Sequence, residues 1–374
     1  MRTPKLAPRS VLFIGLPLLV AGTVAGAAAP ASAARTGRAG PAASVSVSGS
    51  LAGVAATSAK DAWAVGSGDG KTLTLHWNGK AWKRTPSPSP GTSAALTGVA
   101  AVTAHTVWAV GETYTSTGGK SLILRWNGKA WKRVPSPSPG RGAALTGVAA
   151  VTARSAWAIG ETYTSTGGKT LILRWNGKAW KRVPSPNPGT GASLAGVAAV
   201  TARSAWVVGT TYPNDLGSIK TLILRWNGEA WKQVPGPNSG GSPLFSVAAV
   251  SARSSWAVGC GGCEGGPNKA LVERWNGKAW KQVPSPAPAG SYLAGVAAVS
   301  ARSGWAVGYT YPISAGVKTL IERWNGKVWK QVLSPSPAGG QLLGVAATSG
   351  RNAWAVGTAD GKILIGRWNG TAWK

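Results

Sequence analysis

Acids, thiols and imidazoles are scarce in this chain. Its 374 residues include 10 Asp and Glu together, two Cys, two His and one Met. Two Cys cannot build a disulfide-dense scaffold, and with two His they cannot furnish many four-ligand metal sites. No metal and no cofactor is therefore expected. The shortage of general acids, bases and thiol nucleophiles narrows the catalytic classes as well. What remains is basic, apolar and rich in turn formers: 40 Lys and Arg, a formal charge of +30, 53 Gly, 25 Pro and 21 Trp. The 44% apolar content and the many indoles argue for a packed core rather than a disordered chain.

The first residues resemble an address. Arg2, Lys5 and Arg9 precede an apolar run from Val11 to Val20, and Ala31-Ser32-Ala33 supplies small residues for cleavage. This reads as a signal peptide over 1–33, followed by a small-residue linker over 34–42, with a retained membrane anchor as the competing reading. Export without stable membrane insertion places the mature chain in the extracellular space or on the cell wall.

The rest of the chain repeats seven times. An Ala-Trp-Ala-Val-Gly-like segment recurs at Trp63, Trp108, Trp157, Trp206, Trp256, Trp305 and Trp354, and an Arg-Trp-Asn-Gly-Lys-Ala-Trp-like segment recurs from Trp77/Trp82 to Trp368/Trp373. Each unit reads as four strands; in the second they are 96–102, 107–111, 120–126 and 130–135. The Asn127-Gly128 pair predicts a two-residue type I′ turn, which sets Trp126 opposite Lys129 and Leu124 opposite Trp131. The first strand, Gly-Val-Ala-Ala-Val, suits a place where sheets converge. Four-stranded antiparallel units of this length, seven in number, predict an all-β, seven-bladed β-propeller over 43–374. The last unit stops just after Trp373, so the segment Ala43 to Ser48 is expected to complete the rim of the last blade.

The Trp and Asn-Gly motifs, as in Trp108 to Gly111 and Arg125 to Trp131, resemble those of secreted propellers of the tectonin and Asp-box type. The likeness covers about residues 50–374. It implies a propeller that binds glycans or cell-surface polymers.

Each candidate for chemistry has a plainer reading beside it. Recurrence of the Trp triplet in every unit favours packing between blades over stacking on sugars. His76 and His105 stand where other units carry Arg, and no nucleophile or carboxylate is specially spaced beside them. Cys260 and Cys263 read as a local disulfide in an exported chain. Glu273 and Glu322 could serve a glycosidase, but the neighbouring Arg274 and Arg323 favour salt bridges. The segments between the second and third strands vary most, and they carry Glu112 and Tyr114, Glu161 and Tyr163, Tyr212 and Tyr311. Lys120, Lys169, Lys220 and Lys318 begin the strands that follow. Tyr beside Lys suits acidic sugars, and loops on a rigid scaffold commonly carry binding. The expectation is a monomeric, non-enzymatic, multivalent binder of anionic or neutral polysaccharides, with nucleic acid as a secondary partner. A polysaccharide hydrolase or lyase and a protein-binding scaffold are the alternatives.

Overall fold

The computed structural model describes residues 47–165, 167–213, 219–237, 241–263, 268–312 and 316–374. The expected leader, the linker and residues 43–46 lie outside them. No helix among the described residues is long and apolar enough to cross a membrane.

Among the described residues the repeats form seven antiparallel sheets, six of four strands and one of three. Blade two shows the pattern, with strands Ser93–Thr103, Thr106–Thr115, Gly118–Trp126 and Trp131–Arg133 side by side in chain order. The innermost strand of each blade packs against the next. Ser50–Ser58 of blade one meets both Ser93–Thr103 and Gln341–Ser349 of blade seven, so the ring closes. The molecule is a seven-bladed β-propeller.

Small residues let the inner strands approach. A Cβ at Gly98 would lie 3.1 Å from the Gly147 Cα of the next blade. Gly111 sits across from a bulge between Leu96 and Gly98, and a Cβ there would come within 2.0 Å of the Ala95 carbonyl oxygen.

The indoles hold the blades together. The second-strand Trp of each blade meets the third-strand and rim Trp of the next. Trp108 lies 4.9 Å from Trp175 and 5.1 Å, edge-on, from Trp180. The same pair of contacts runs round the ring until Trp354 of blade seven meets Trp77 at 4.9 Å and Trp82 at 5.2 Å of blade one. All seven second-strand Trp are fully buried. Burial of this much aromatic area, with the aliphatic residues around it, favours closure of the ring.

The turn between third and rim strands differs from the expected type. Trp126 pairs directly with Trp131, and Leu124 with Arg133, so the connection is four residues long. Gly128 has φ of 92°, whereas Asn127 has no left-handed φ. Asn127 Oδ1 instead accepts from the Lys129 and Ala130 N–H groups at 3.0 Å each. An Asn side chain that satisfies two backbone donors stabilises this longer loop, and direct pairing places both indoles where the neighbouring Trp can reach them. Left-handed φ at both central residues occurs at Asp69-Gly70 and Asp360-Gly361, the short hairpins of blades one and seven.

Both ends of the described chain meet on blade seven. Trp373 bridges Trp368, and Lys374 exchanges two backbone hydrogen bonds with Arg367. At the other end of the same strand, Lys362–Trp368, the Val47 carbonyl accepts from Ile363 N–H at 3.2 Å and Gly49 N–H donates to the Gly361 carbonyl at 2.8 Å.

Candidate functional site

The propeller has two working faces. One carries the hairpins between second and third strands; the other carries the turns between first and second and between third and rim strands.

On the hairpin face, Glu112 and Tyr114 lie within the strand Thr106–Thr115, and Glu161 and Tyr163 within Ser155–Thr164. The expected loops are thus tall hairpins. The alternating Thr-Tyr-Thr pattern lets the ladder continue through them. The four side chains interact as one cluster. Glu112 hydrogen-bonds Tyr114, and burial raises the carboxyl above its usual range while that bond opposes the rise. Burial, then the charge of Glu112, pushes Glu161 up to about 7. Burial and the nearby carboxylates push Tyr114 up to about 12 and raise Tyr163 too.

The lysines belong elsewhere. Lys120 pairs with Thr113 and Lys169 with Thr162, and cross-strand partners share a sheet face, so each lies on the face opposite the Glu–Tyr pair of its own blade. Lys169 Nζ donates to the Thr190 carbonyl at 3.3 Å. Lys220 and Lys318 are exposed. Tyr212 packs over Gly191 in blade four. Tyr311 joins a second cluster, edge-on to Tyr292 at 5.9 Å and to Tyr309 at 5.5 Å. Asn268 Nδ2 donates to the Tyr292 hydroxyl and Gln341 Nε2 to that of Tyr311. Tyr292 and Asn268 come from different blades, so no local sequence pattern pointed to them.

The turn face is a basic circle. Lys60, His105, Arg154, Arg203, Arg253, Arg302 and Arg351 occupy equivalent turns in the seven blades, and all are exposed. Each stem lies over the glycine of the adjacent Asn-Gly turn. At Gly177, for example, an added Cβ would sit 3.4 Å from Arg154 Cβ. Exposed Lys80, Lys129, Lys178, Lys278 and Lys327 follow those glycines, with Glu229 and Thr371 in the same slot of blades four and seven. None of these lysines and arginines is paired with a carboxylate among the described residues.

A second set of cations is structural. Arg225 stacks over Trp206 of its own blade at 5.2 Å and Trp275 of the next at 5.5 Å. Arg125, Arg174, Arg274, Arg323 and Arg367 repeat the arrangement, and Arg367 also donates to the Ala59 carbonyl of blade one at 3.3 Å. In blade one, His76 fills this slot. It stacks on Trp63 at 4.3 Å and bonds Asp61 at 2.7 Å through Nε2, a carboxylate partner that sequence spacing did not suggest.

The expected Glu322–Arg323 salt bridge does not form, because successive strand residues point to opposite sheet faces. Arg323 stacks on Trp305 and Trp368, while fully buried Glu322 accepts from Ser285 Oγ at 2.6 Å. Burial pushes Glu322 up to about 7 against the lowering effect of the Ser285 and Ala287 hydrogen bonds. Glu273 occupies the matching buried place in blade five, and Arg274 likewise stacks on Trp256. Cys260 and Cys263 are joined in a disulfide. Among the described residues no group of three His, Cys, Asp or Glu could hold a metal ion.

No protein-family model and no curated protein matches the sequence. The tectonin and Asp-box likeness thus stays at the level of motif. The fold is similar to several solved structures. An ulvan-cleaving polysaccharide lyase aligns with TM-score 0.59 at 10% identity, over 88% of this chain and 96% of that one. YCF48 bound to D1 peptide aligns with TM-score 0.56 at 16% identity, over 88% and 95%. The propeller domain of the Trilobed protease of Pyrococcus furiosus, described as having an open velcro topology, aligns with TM-score 0.51 at 8% identity, over 87% and 97%. At such identities the likeness concerns fold alone, and one fold serves a lyase and a peptide-bound protein alike.

Proposed function

We propose that the protein is an exported, non-enzymatic, multivalent binder of anionic polysaccharides or related polymers at a cell surface or wall. The observation that carries this reading is the turn-face circle. Exposed cations in every blade, without carboxylate partners among the described residues, create a field that attracts polyanions and speeds their encounter. Because each Arg stem is laid over a glycine turn, the charges are held on a rigid frame rather than on mobile loops. Several weak sites on one frame raise avidity without any new contact. Nucleic acid is a secondary partner on the same grounds. Retention of the monomeric protein on immobilised sulfated and uronate polysaccharides at low and high salt tests the reading. Retention at low salt and release at high salt are expected; failure to bind any polyanion at low salt would refute it.

One observation favours a second reading, that of a polysaccharide hydrolase or lyase. Glu161 holds its proton near neutral pH beside Glu112, a condition suited to a general acid. Release of new reducing ends or of unsaturated uronates that is abolished by Glu161→Gln would support it; polymers left intact by the wild type would remove it.

A further inference from the structure

At blade six an open groove of about 420 Å³ lies beside the turn face, lined by Arg302, Ser303, Arg323 and Lys330 and, among the described residues, by no acidic one. The register explains this company. Arg323 pairs with Trp305 on one side and Lys330 on the other, so Ser303, Arg323 and Lys330 share one sheet face. Stacking on Trp305 and Trp368, with a hydrogen bond from Nη2 to the Gly350 carbonyl, fixes the Arg323 guanidinium at the groove wall. The same residues recur as Arg154, Ser155, Arg174, Lys181 in blade three, Arg203, Ser204, Arg225, Lys232 in blade four and Arg253, Ser254, Arg274, Lys281 in blade five.

The hydroxyls carry the argument. Oγ of Ser155, Ser204, Ser254 and Ser303 is buried in each case and makes no hydrogen bond among the described residues. A buried hydroxyl without a partner is costly, and four in equivalent places mark one shared feature. Blade one offers an internal comparison. There Asp61 stands in the Ser slot and His76 in the Arg slot; Asp61 bonds His76 and receives the Thr57 hydroxyl. That blade supplies its own anion. Blade seven has Asn352 in the slot, with Nδ2 committed to Thr348 Oγ1. Blades three to six present the cations and the hydroxyl alone.

We infer that this groove and the equivalent residues of blades three to five are oxyanion sites, each taking one sulfate or phosphate ester of a polymer that runs along the outer edge of the turn face. The inference rests on the polyanion reading above and names its sites and ligand class. A planar carboxylate is satisfied by one guanidinium fork, whereas guanidinium, ammonium and hydroxyl donors on separate strands suit a tetrahedral group with three free oxygens.

Titration of the full chain with dextran sulfate, dextran phosphate and polygalacturonate at low salt tests it. Three triple variants are compared: Lys232→Ala/Lys281→Ala/Lys330→Ala at the grooves, Lys220→Ala/Lys269→Ala/Lys318→Ala on the hairpin face with the same charge loss, and Ser204→Ala/Ser254→Ala/Ser303→Ala. The groove lysine triple is expected to weaken binding of the esters by about tenfold or more, and the hairpin-face triple by about twofold. The serine triple is expected to weaken ester binding several-fold and to leave polygalacturonate unchanged. The ester bound tighter identifies the source. Equal losses from both lysine triples, or tighter binding of polygalacturonate than of both esters, would overturn the grooves while leaving a general polyanion binder. No binding by the wild type would instead defeat the underlying reading.

Discussion

A guanidinium held between two indoles gains cation–π attraction from both and loses little hydration, since Arg is weakly hydrated and planar. Six blades use this clamp, and each one spans a blade boundary. Arg225→Lys is expected to cost about 1–2 kcal/mol in chemical denaturation, because an ammonium cannot lie flat between Trp206 and Trp275. An unchanged midpoint would mean that charge alone suffices. Glu322 shows the opposite case, a carboxyl in a slot that blades one to four fill with Leu75, Leu124, Leu173 and Leu224. Its folded pKa of about 7 exceeds its unfolded value, so between roughly pH 4.5 and 7 the folded state binds the extra proton and stability falls as pH rises. Glu322→Leu is expected to change little at pH 4 and to stabilise by about 3 kcal/mol at pH 8. A gain of equal size at both pH values would show that packing, not ionisation, is responsible.

At the scale of elements, the recurring Asn-Gly turn does two jobs. The Asn caps the loop, and the Gly supplies a left-handed φ and a floor for the neighbouring basic stem, as Gly177 (φ 95°) does for Arg154. Gly177→Ala is expected to destabilise by about 1 kcal/mol or more, and Asn176→Ala by about 1–2 kcal/mol through two lost acceptor contacts, both measurable by thermal unfolding. Neutral results would show that the loop geometry is set by strand pairing alone. Four strands per unit were legible because the Trp and Asn-Gly motifs recur at nearly constant spacing. The pairing register across the turn was not, since one Asn-Gly dipeptide fits both a two-residue and a four-residue connection. Nor was the height of the hairpins: Glu112-Thr-Tyr-Thr reads as a polar loop until its alternation is seen to continue a ladder. The serines of the grooves look ordinary in sequence, and only the fold shows that their hydroxyls lack a partner among the described residues.

For the whole molecule, closure rests on seven equivalent contacts of Trp on Trp, the last of which joins blade seven to blade one. Propeller and blade count were legible from the repeat; which residues of different blades meet, such as Asn268 with Tyr292, was not, because no local spacing pattern links them. Blade seven is the seam, where Trp373 packs edge-on against Trp305 at 5.2 Å and is almost fully buried. Trp373→Ala is expected to lower stability by about 3–5 kcal/mol and to expose blade seven first to proteolysis; cleavage beginning elsewhere would contradict the seam. Closure also turns the lysines and arginines of these turns into one circle, and that circle is what the proposed binding depends on. The most direct measurement is the slope of log affinity for a sulfated polysaccharide against log salt concentration, for the wild type and for a variant with Arg154, Arg203, Arg253, Arg302 and Arg351 all changed to Gln. A steep negative slope that flattens by several units in the variant is expected, roughly one for each released counterion. Equal slopes in the two proteins would contradict a binding face built from these arginines.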